Sequence, residues 1–280
     1  MRAFEKRQYG FTLVEMIIVI VITGIIAGIV AIFIRAPVQG YVDSARRAEL
    51  TDIADTAVRR LSRDVRIAVP NSVRVANCGV VPCVEFLPTK DGGRYRALPV
   101  GNMLFATNNG IFDVIGPVPS LVAGDFIVVG STQSDGSLAY LQTNAGVLRS
   151  YTSVAGTTVT MNATALPVTS ELPSQRFDVV DGVQQAVTYA CVGTLGALDA
   201  SLNGQARLVR YWKYGFNPAQ VNPPVGAGML TAVLADKVSN CVIDYGLPNQ
   251  RFGLVAVRLT LTSGGESVSL YNEIHVNNSP

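Results

Sequence analysis

The sequence predicts an α+β protein. A long N-terminal helix, transmembrane at its start and amphipathic towards its end, packs on a C-terminal antiparallel β-rich globular domain. Three observations predict this fold: an uncharged apolar run over residues 16–34, apolar positions at three- and four-residue steps over residues 41–66, and short valine- and threonine-rich runs thereafter. One helix followed by about a dozen strands is an α+β arrangement.

The apolar run has the length of a membrane span. It extends from Met16 to Ile34 without a charge, and Thr23 carries its only hydroxyl group. At a rise of about 1.5 Å per residue this helix is about 29 Å long, close to the roughly 30 Å hydrocarbon thickness of a bilayer. Because a single helix satisfies its own backbone in lipid, we expect residues 11–34 to form a transmembrane helix.

Glu15 lies directly before this run and is its unusual feature. An unpaired charge inside a membrane costs on the order of 2.5–3.5 kcal/mol on insertion scales. Glu15 therefore needs a partner or a function.

The residues around Glu15 carry a family resemblance. Residues 10–17, GFTLVEMI, resemble the N-terminal signature of type IV prepilins and type II secretion pseudopilins. The resemblance implies that residues 1–10 are a leader peptide, and that a prepilin peptidase cleaves between Gly10 and Phe11 and methylates the new amino group of Phe11. It also implies that Glu15 pairs with the Phe11 amine of a neighbouring subunit, which makes residues 11–34 an assembly helix and the whole α-helix the spine of a pilin.

Two other interpretations of the N-terminus are an ordinary signal anchor and a cleaved secretory signal peptide. A signal peptide has a shorter apolar core with a small-residue cleavage site after it. In this chain the candidate cleavage site precedes the apolar run, which favours the prepilin interpretation.

The resemblance also implies partners and a location. The partners are the prepilin peptidase, other major and minor pilins through the N-terminal helix, the inner-membrane assembly platform, and membrane lipid before assembly. The basic leader residues Arg2, Lys6 and Arg7 should keep the N-terminus in the cytoplasm. We therefore expect a single-pass protein of the bacterial inner membrane with a periplasmic C-terminal domain, which later enters a pilus or pseudopilus.

The charge balance argues against a nucleic-acid partner. The chain has 22 basic and 20 acidic residues, and the leader holds three and one of them, so 19 of each remain after cleavage. No nucleic acid is expected as a partner, because a net charge near zero gives no general attraction to phosphates.

Four cysteines in a chain that leaves the cytoplasm suggest two disulfides. Cys78 and Cys83 flank a short turn-like segment, which leaves Cys191 and Cys241 to pair over a longer one. Their spacing does not fit a zinc ribbon, and we expect neither a metal nor another cofactor.

Residues 35–67 are expected to continue the helix in amphipathic form, with a bend at Pro37. One apolar stripe should pack on a sheet, and the helix should end just before Val69 and Pro70. The stripe consists of Leu50, Ile53, Ala54, Ala57, Val58, Leu61 and Val65.

Residues 68–280 are expected to form the β-rich domain, with one core that an insertion between Met103 and Thr169 would extend. Asp181-Gly182 predicts a tight hairpin, and Ser263-Gly264-Gly265 predicts a terminal one. The expected strands are 80–87, 126–130, 138–142, 147–151, 157–162, 176–180, 183–189, 206–214, 234–238, 242–245, 254–261 and 268–276.

A looser resemblance covers more of the chain. Residues 60–70 at the helix exit, and residues 234–245 followed by a terminal hairpin, resemble the larger minor pilins and J-type minor pseudopilins. The closest likeness is to the minor pilin-like biogenesis subunits of mannose-sensitive haemagglutinin (MSHA) pili. Glu15 argues against the K-type pseudopilins, which lack it, and the length argues against a major pilin. The resemblance implies a structural subunit that primes assembly or caps the tip.

Other functional classes have weaker support. There is no nucleophile elbow, P-loop, HExxH or EF-hand motif, and His275 is the only histidine, so no enzyme is predicted. Asp178 and Asp181 could bind calcium, although turn chemistry also explains them. The aromatic residues Tyr211, Trp212, Tyr214 and Phe216 could form a patch for a glycan but are more typical of packing. A tip adhesin or a DNA-capturing pilin is the alternative from another class.

Overall fold

The computed structural model describes residues 10–75, 78, 81–98, 101–133, 135–246 and 253–279. The expected leader, except for Gly10, and the first residue of the expected strand 80–87 lie outside these residues. The chain divides into two compact units, Met1–Ala48 and Glu49–Pro280.

The first element is one long helix, α1, over Leu13–Arg66. It runs through Pro37 without ending there and ends where the sequence predicted. Among the described residues, α1 is the one helix long and apolar enough to cross a membrane, and none of its most apolar window is buried. The long helix and the β-rich domain confirm the α+β fold class.

Twelve strands follow within the described residues, and every pairing among them is antiparallel. They are β1 Cys83–Phe86, β2 Thr89–Tyr95, β3 Ile111–Ile115, β4 Phe126–Val129, β5 Leu148–Ala155, β6 Thr158–Met161, β7 Arg176–Val180, β8 Val187–Leu198, β9 Gly204–Trp212, β10 Leu230–Tyr245, β11 Leu254–Ser263 and β12 Glu266–His275. Six of them form a sheet in the order β1-β8-β9-β10-β11-β12, and the other six close into a barrel in the order β2-β3-β6-β5-β4-β7.

The amphipathic stripe of α1 packs on the six-stranded sheet, as predicted. All its members are buried except Ile53, which packs partly buried against the same core. Ala54 and Ala57 are almost completely buried, and such small side chains allow the helix to approach the sheet closely. On the sheet side this core contains Leu208, Val257 and Leu259.

The barrel is the feature that the sequence did not predict in full. It extends from Thr89 to Val180, beyond the expected insertion. Its own core includes Phe112, Ile127 and Phe177, and the Phe112 and Phe177 rings meet edge to face at 5.2 Å. A third cluster joins barrel to sheet, with Val128, Leu148 and Val180 from the barrel and Ala190, Val209 and Tyr211 from the sheet.

The expected hairpin at Asp181-Gly182 is wrong. Strand β7 pairs with β2 and β4 in the barrel, whereas β8 pairs with β1 and β9 in the sheet. The Asp181 carbonyl accepts hydrogen bonds from the backbone N–H groups of Gln184 and Gln185. This wider turn carries the chain from barrel to sheet, so β7 and β8 belong to different layers and do not pair with each other.

The expected strand 138–142 is also wrong, because Ser137–Tyr140 forms a short 3₁₀ helix. The Ser137 N–H and hydroxyl both donate to the Asp135 carboxylate, and Gly136 precedes the helix with a positive φ of 76°. These local bonds favour a turn over an extended strand. The terminal hairpin is confirmed, with Ser263 opposite Glu266 at its closed end.

Sheet and barrel are also joined by a buried ionic network. Arg74 Nε donates to Glu85 Oε2 at 2.8 Å, and both side chains are almost fully buried. The Tyr214 hydroxyl donates to Glu85 Oε1 at 2.9 Å, while the Arg74 guanidinium lies over the Tyr140 ring at 3.6 Å. Burial raises the pKa of the Glu85 carboxyl, although Arg74 opposes that shift. Because a buried charge without its partner is costly, loss of either Arg74 or Glu85 would destabilise this network.

Asp178 of β7 gives a pH-dependent stability. Burial raises its pKa from 3.8 to about 6, with Arg176 opposing the shift. Because the pKa of Asp178 is higher in the folded state than in the unfolded state, protonation of Asp178 favours folding. This contribution to stability is present at low pH and is lost as the pH rises through about 6. The loss is at most about 3 kcal/mol, at about 1.4 kcal/mol per pKa unit.

We predict that Asp178→Asn, which removes the buried charge, stabilises the protein at pH 7.5 by about 1–3 kcal/mol and has little effect at pH 4. The measurement is thermal unfolding of the chain in mild detergent at both pH values. Asp236→Asn is the matched control, since Asp236 is exposed and its side chain has no hydrogen bond or ion pair within the described residues. Equal stabilisation at both pH values would contradict the prediction.

Candidate functional site

The start of α1 is closed by reciprocal hydrogen bonds between Thr12 and Glu15. Thr12 immediately precedes the first helical residue, and Glu15 is the third residue of the helix. The Glu15 backbone N–H donates to Thr12 Oγ1 at 3.3 Å, and the Thr12 backbone N–H donates to Glu15 Oε2 at 3.1 Å. This is a capping box, which satisfies two backbone donors that a helix N-terminus otherwise leaves open.

The capping box uses only one oxygen of the Glu15 carboxylate. Glu15 Oε2 accepts from both the Thr12 N–H and the Thr12 hydroxyl, each at 3.1 Å. Within the described part of the chain, Oε1 has no hydrogen bond. The positive end of the helix dipole stabilises the carboxylate here. Glu15 is therefore held in a fixed position while one of its oxygens remains open to an outside cation.

The bond between Gly10 and Phe11 lies in exposed, non-helical chain just before the capping box. The Phe11 side chain is 80% exposed. Apart from its chain neighbours, no atom of the described residues lies within 4 Å of the place where a Cβ on Gly10 would stand. A protease can bind this segment without unfolding any element, since cleavage requires accessible extended chain.

Beyond Glu15 the helix exposes apolar side chains on all its faces through Ile34. Gly24 and Gly28 lie four residues apart on one face, and an added Cβ at either would contact none of the described residues outside the helix's own nearby backbone. Small residues at this spacing allow membrane helices to approach closely. In water this surface would be strongly unfavourable, so it needs lipid or other helices around it.

The cysteines pair as the sequence suggested. Disulfides join Cys78 to Cys83, with Cα atoms 5.5 Å apart, and Cys191 to Cys241, with Cα atoms 6.4 Å apart. The second disulfide connects β8 to β10 across the intervening strand β9. It therefore fixes three neighbouring strands of the sheet on which α1 packs.

The remaining candidate residues have structural roles. Asp181 Oδ1 accepts from the Val183 N–H at 2.8 Å and so supports its turn, while Asp178 lies in β7. Within the described residues no group of three or more His, Cys, Asp or Glu side chains is placed to hold a metal. His275 is the exposed last residue of β12.

The aromatic cluster of the sequence is packing rather than an open patch. Tyr211 and Tyr214 are buried, and the Phe216 ring packs against Phe126 of the barrel at 4.6 Å. The Trp212 ring lies 4.9 Å from the Arg210 guanidinium. Tyr211, Tyr214 and Phe216 belong to the cluster that joins sheet and barrel, whereas Trp212 packs against the core beneath α1.

Sequence reasoning missed Thr12. Its signal was nevertheless present, because a Thr-x-x-Glu pattern directly before an apolar run is the sequence mark of a capping box. The structure brings Thr12 and Glu15 together and places Gly10 and Phe11 beside them.

Comparison with known proteins points to the same segment. Residues 6–31 match the family model described as the prokaryotic N-terminal methylation motif. No curated protein and no solved structure matches the chain. The motif supports a type IV pilin-like or pseudopilin subunit, and proteins of this kind are structural subunits rather than enzymes.

The capping box predicts different effects for two nearly isosteric substitutions. Thr12→Val removes the cap and should destabilise the first helical turn by about 0.5–2 kcal/mol. Glu15→Gln keeps an acceptor oxygen and should leave that turn nearly intact. Amide hydrogen exchange of residues 14–16 in detergent micelles measures this, and faster exchange in both variants alike would contradict it.

Proposed function

We propose that this chain is a minor type IV pilin-like subunit similar to MshO, the biogenesis protein of MSHA pili, and that it primes assembly or caps the pilus tip. The observation that carries the proposal is the geometry at Glu15. A carboxylate is fixed by its own helix, has one open oxygen, and stands at the start of an exposed apolar helix within a methylation motif.

The proposed mechanism begins with processing. Prepilin peptidase cleaves the exposed bond between Gly10 and Phe11 and methylates the new amine, which places a positive charge four residues before Glu15. The capping box directs Glu15 Oε2 towards Thr12 of its own chain. Glu15 Oε1 is left to accept a hydrogen bond from the Phe11 amine of a neighbouring subunit.

This pairing would set the register of assembly. Two opposite unit charges about 4 Å apart attract by about 4 kcal/mol at an effective dielectric constant near 20. Desolvation offsets part of that gain, but a charge left unpaired in the membrane is more costly still. A neighbouring helix shifted along its axis would separate the two charges, so the paired register is favoured.

Two features support a location in the inner membrane with the globular unit in the periplasm. The apolar helix has the length of a membrane span. Disulfides persist in oxidising compartments such as the periplasm, and the globular unit contains two of them. The partners proposed from this arrangement are the peptidase, the assembly platform, and other pilins.

A J-type minor pseudopilin of type II secretion is the alternative, and it would use the same processing and the same charge pair. Adhesion through the aromatic cluster has less support, since Tyr211 and Tyr214 are buried. Nucleic-acid capture has no support from the balanced charge of residues 11–280.

Processing predicts a defined N-terminus. Mass spectrometry of the protein from its native membrane should find a chain that begins at N-methylated Phe11, whereas Gly10→Ala should retain the leader. Because a Cβ at Gly10 would contact no side chain or backbone of the described residues beyond its chain neighbours, a block would act through the peptidase and leave the described fold unchanged. An intact N-terminus in the unsubstituted protein would refute the proposed function.

The proposed charge pair predicts that the Glu15 charge is needed for incorporation into filaments but not for membrane insertion or processing. Glu15→Gln should be inserted and processed normally and should keep its capping box, yet its incorporation into filaments should fall at least tenfold. Thr12→Val is the matched comparison, since it loses the cap but keeps the charge, and should be incorporated better than Glu15→Gln. Quantitative immunoblotting of sheared filaments measures this. Normal incorporation of Glu15→Gln would exclude the pairing mechanism.

A further inference from the structure

Three adjoining cavities lie along one side of the globular unit. The first, about 550 Å³, lies between the last turns of α1 and Asn272 of β12. The second, about 270 Å³, shares Arg66 and Ile67 with the first. The third, about 350 Å³, shares Arg176 and Asp178 with the second. Together they form a continuous depression, which we call the basic groove.

Six of the described residues that line the basic groove are cations: Arg59, Arg63, Arg66, Lys90, Arg94 and Arg176. Lys90 pairs with Asp125 at 2.8 Å, and Arg59 pairs with Asp55 at 2.6 Å. The side chains of Arg63, Arg66 and Arg94 have no hydrogen bond or ion pair within the described ranges of the chain. The groove therefore carries positive charge that the described residues do not neutralise.

Two carboxylates also line the basic groove, and neither neutralises the arginines of the helix. The Asp91 carboxylate accepts from the backbone N–H groups of Gly92 and Ser120, each at 2.8 Å. Asp178 lies further along, where Arg176 is the cation that acts on it. The first cavity contains no carboxylate among its lining residues.

The helix side of the basic groove is electrostatically unfavourable in the isolated chain. Arg59, Arg63 and Arg66 follow one another at four- and three-residue spacing, so they project from the same face of α1. Like charges at this spacing repel, and the helix C-terminus offsets part of this repulsion for Arg63 and Arg66, which lie in the last turn of α1. An acidic ligand would relieve this repulsion.

The first cavity is bordered by Asn272 of β12, which is the last strand of the sheet. Among the described strands, β12 pairs with β11 alone and ends the sheet. A two-residue turn joins them, with both glycines at positive φ, so Ser263 and Glu266 form a hydrogen-bonded pair. By alternation, the backbone N–H and C=O groups of Ser269, Tyr271 and Glu273 point away from β11. An edge of this kind accepts an added strand.

The arginines overhang this edge. Val268, Leu270 and Ile274 of β12 pack in the core beneath α1, and Asn272 alternates with them on the same face. Asn272 lines the first cavity together with Arg59, Arg63 and Arg66. A strand added beside β12 would thus lie under the arginines, and alternate side chains of that strand would face them.

We propose that the basic groove and the free edge of β12 together bind an extended acidic segment of a partner polypeptide, which adds to the sheet as a further strand. The charge complements acidic side chains at alternate positions, and the backbone edge complements a peptide. A nucleic acid would satisfy the arginines but could not form strand hydrogen bonds. We expect the natural partner to be another pilin-like subunit, and this expectation alone rests on the proposed function.

The test uses the full chain in mild detergent and a fluorescent ten-residue peptide of alternating Val and Glu. Anisotropy should show saturable binding that weakens with salt, and no binding of a Val–Lys peptide. Arg63→Glu with Arg66→Glu should weaken binding at least tenfold. Arg207→Glu, at an exposed position on β9 outside the groove, should leave binding unchanged. Equal thermal unfolding of the two proteins shows that both are folded.

Two N-methylated peptides test the strand addition itself. In an added strand, the backbone N–H groups of the Val residues point to one edge and those of the Glu residues to the other. Methylation of all Val nitrogens therefore blocks one edge, and methylation of all Glu nitrogens blocks the opposite edge. One version should lose binding while the other keeps it. Equal binding of the two methylated peptides would overturn the proposal, and so would no binding of the Val–Glu peptide. Tighter binding of a twenty-nucleotide oligothymidylate than of the acidic peptide would also overturn it. Processing at Gly10 does not enter this experiment, so its failure would leave the proposed function standing.

Discussion

The structure depends on a single helix that must satisfy two different environments. From Leu13 to Ile34, α1 exposes apolar side chains in every direction. From Leu50 to Val65 it buries one stripe against a sheet and exposes charges elsewhere. A helix is suited to both, because its backbone hydrogen bonds are internal and do not depend on what surrounds it. Only the side-chain pattern has to change along its length.

The N-terminal end of that helix shows how one side chain can have two tasks. A carboxylate at the third helical position completes a capping box and benefits from the helix dipole. Because a single oxygen is enough for the cap, the other remains available for a partner. The intramolecular bonds to Thr12 fix Glu15 before any neighbour arrives. A fixed group loses less conformational freedom on pairing than a mobile one.

The globular unit is built from two antiparallel layers that depend on each other. The sheet buries the helix on one face, and the barrel packs against part of its other face through Val209 and Tyr211. The buried pair Arg74–Glu85 lies between them, where replacing one partner would leave a buried charge. The Cys191–Cys241 disulfide ties β8 to β10 within the same sheet. Strand β12 ends the sheet, and among the described strands it pairs with β11 alone.

The sequence by itself determined the features that depend on neighbours along the chain. These are the apolar run with the length of a membrane span, the apolar stripe, the end of α1 and the terminal hairpin, because helical and strand periodicities depend on local spacing. Only the tertiary structure decided the barrel. Strand β2, with Asp91, Gly92 and Gly93, has poor strand propensity, yet it pairs along its length with β7. A Cβ at Gly93 would lie 2.8 Å from the Phe177 ring, so glycine there serves packing. The hairpin predicted at Asp181-Gly182 was wrong for the same physical reason. Strands β7 and β8 are stabilised by pairing with other strands, several of them distant in sequence, and no local pattern reveals those partners.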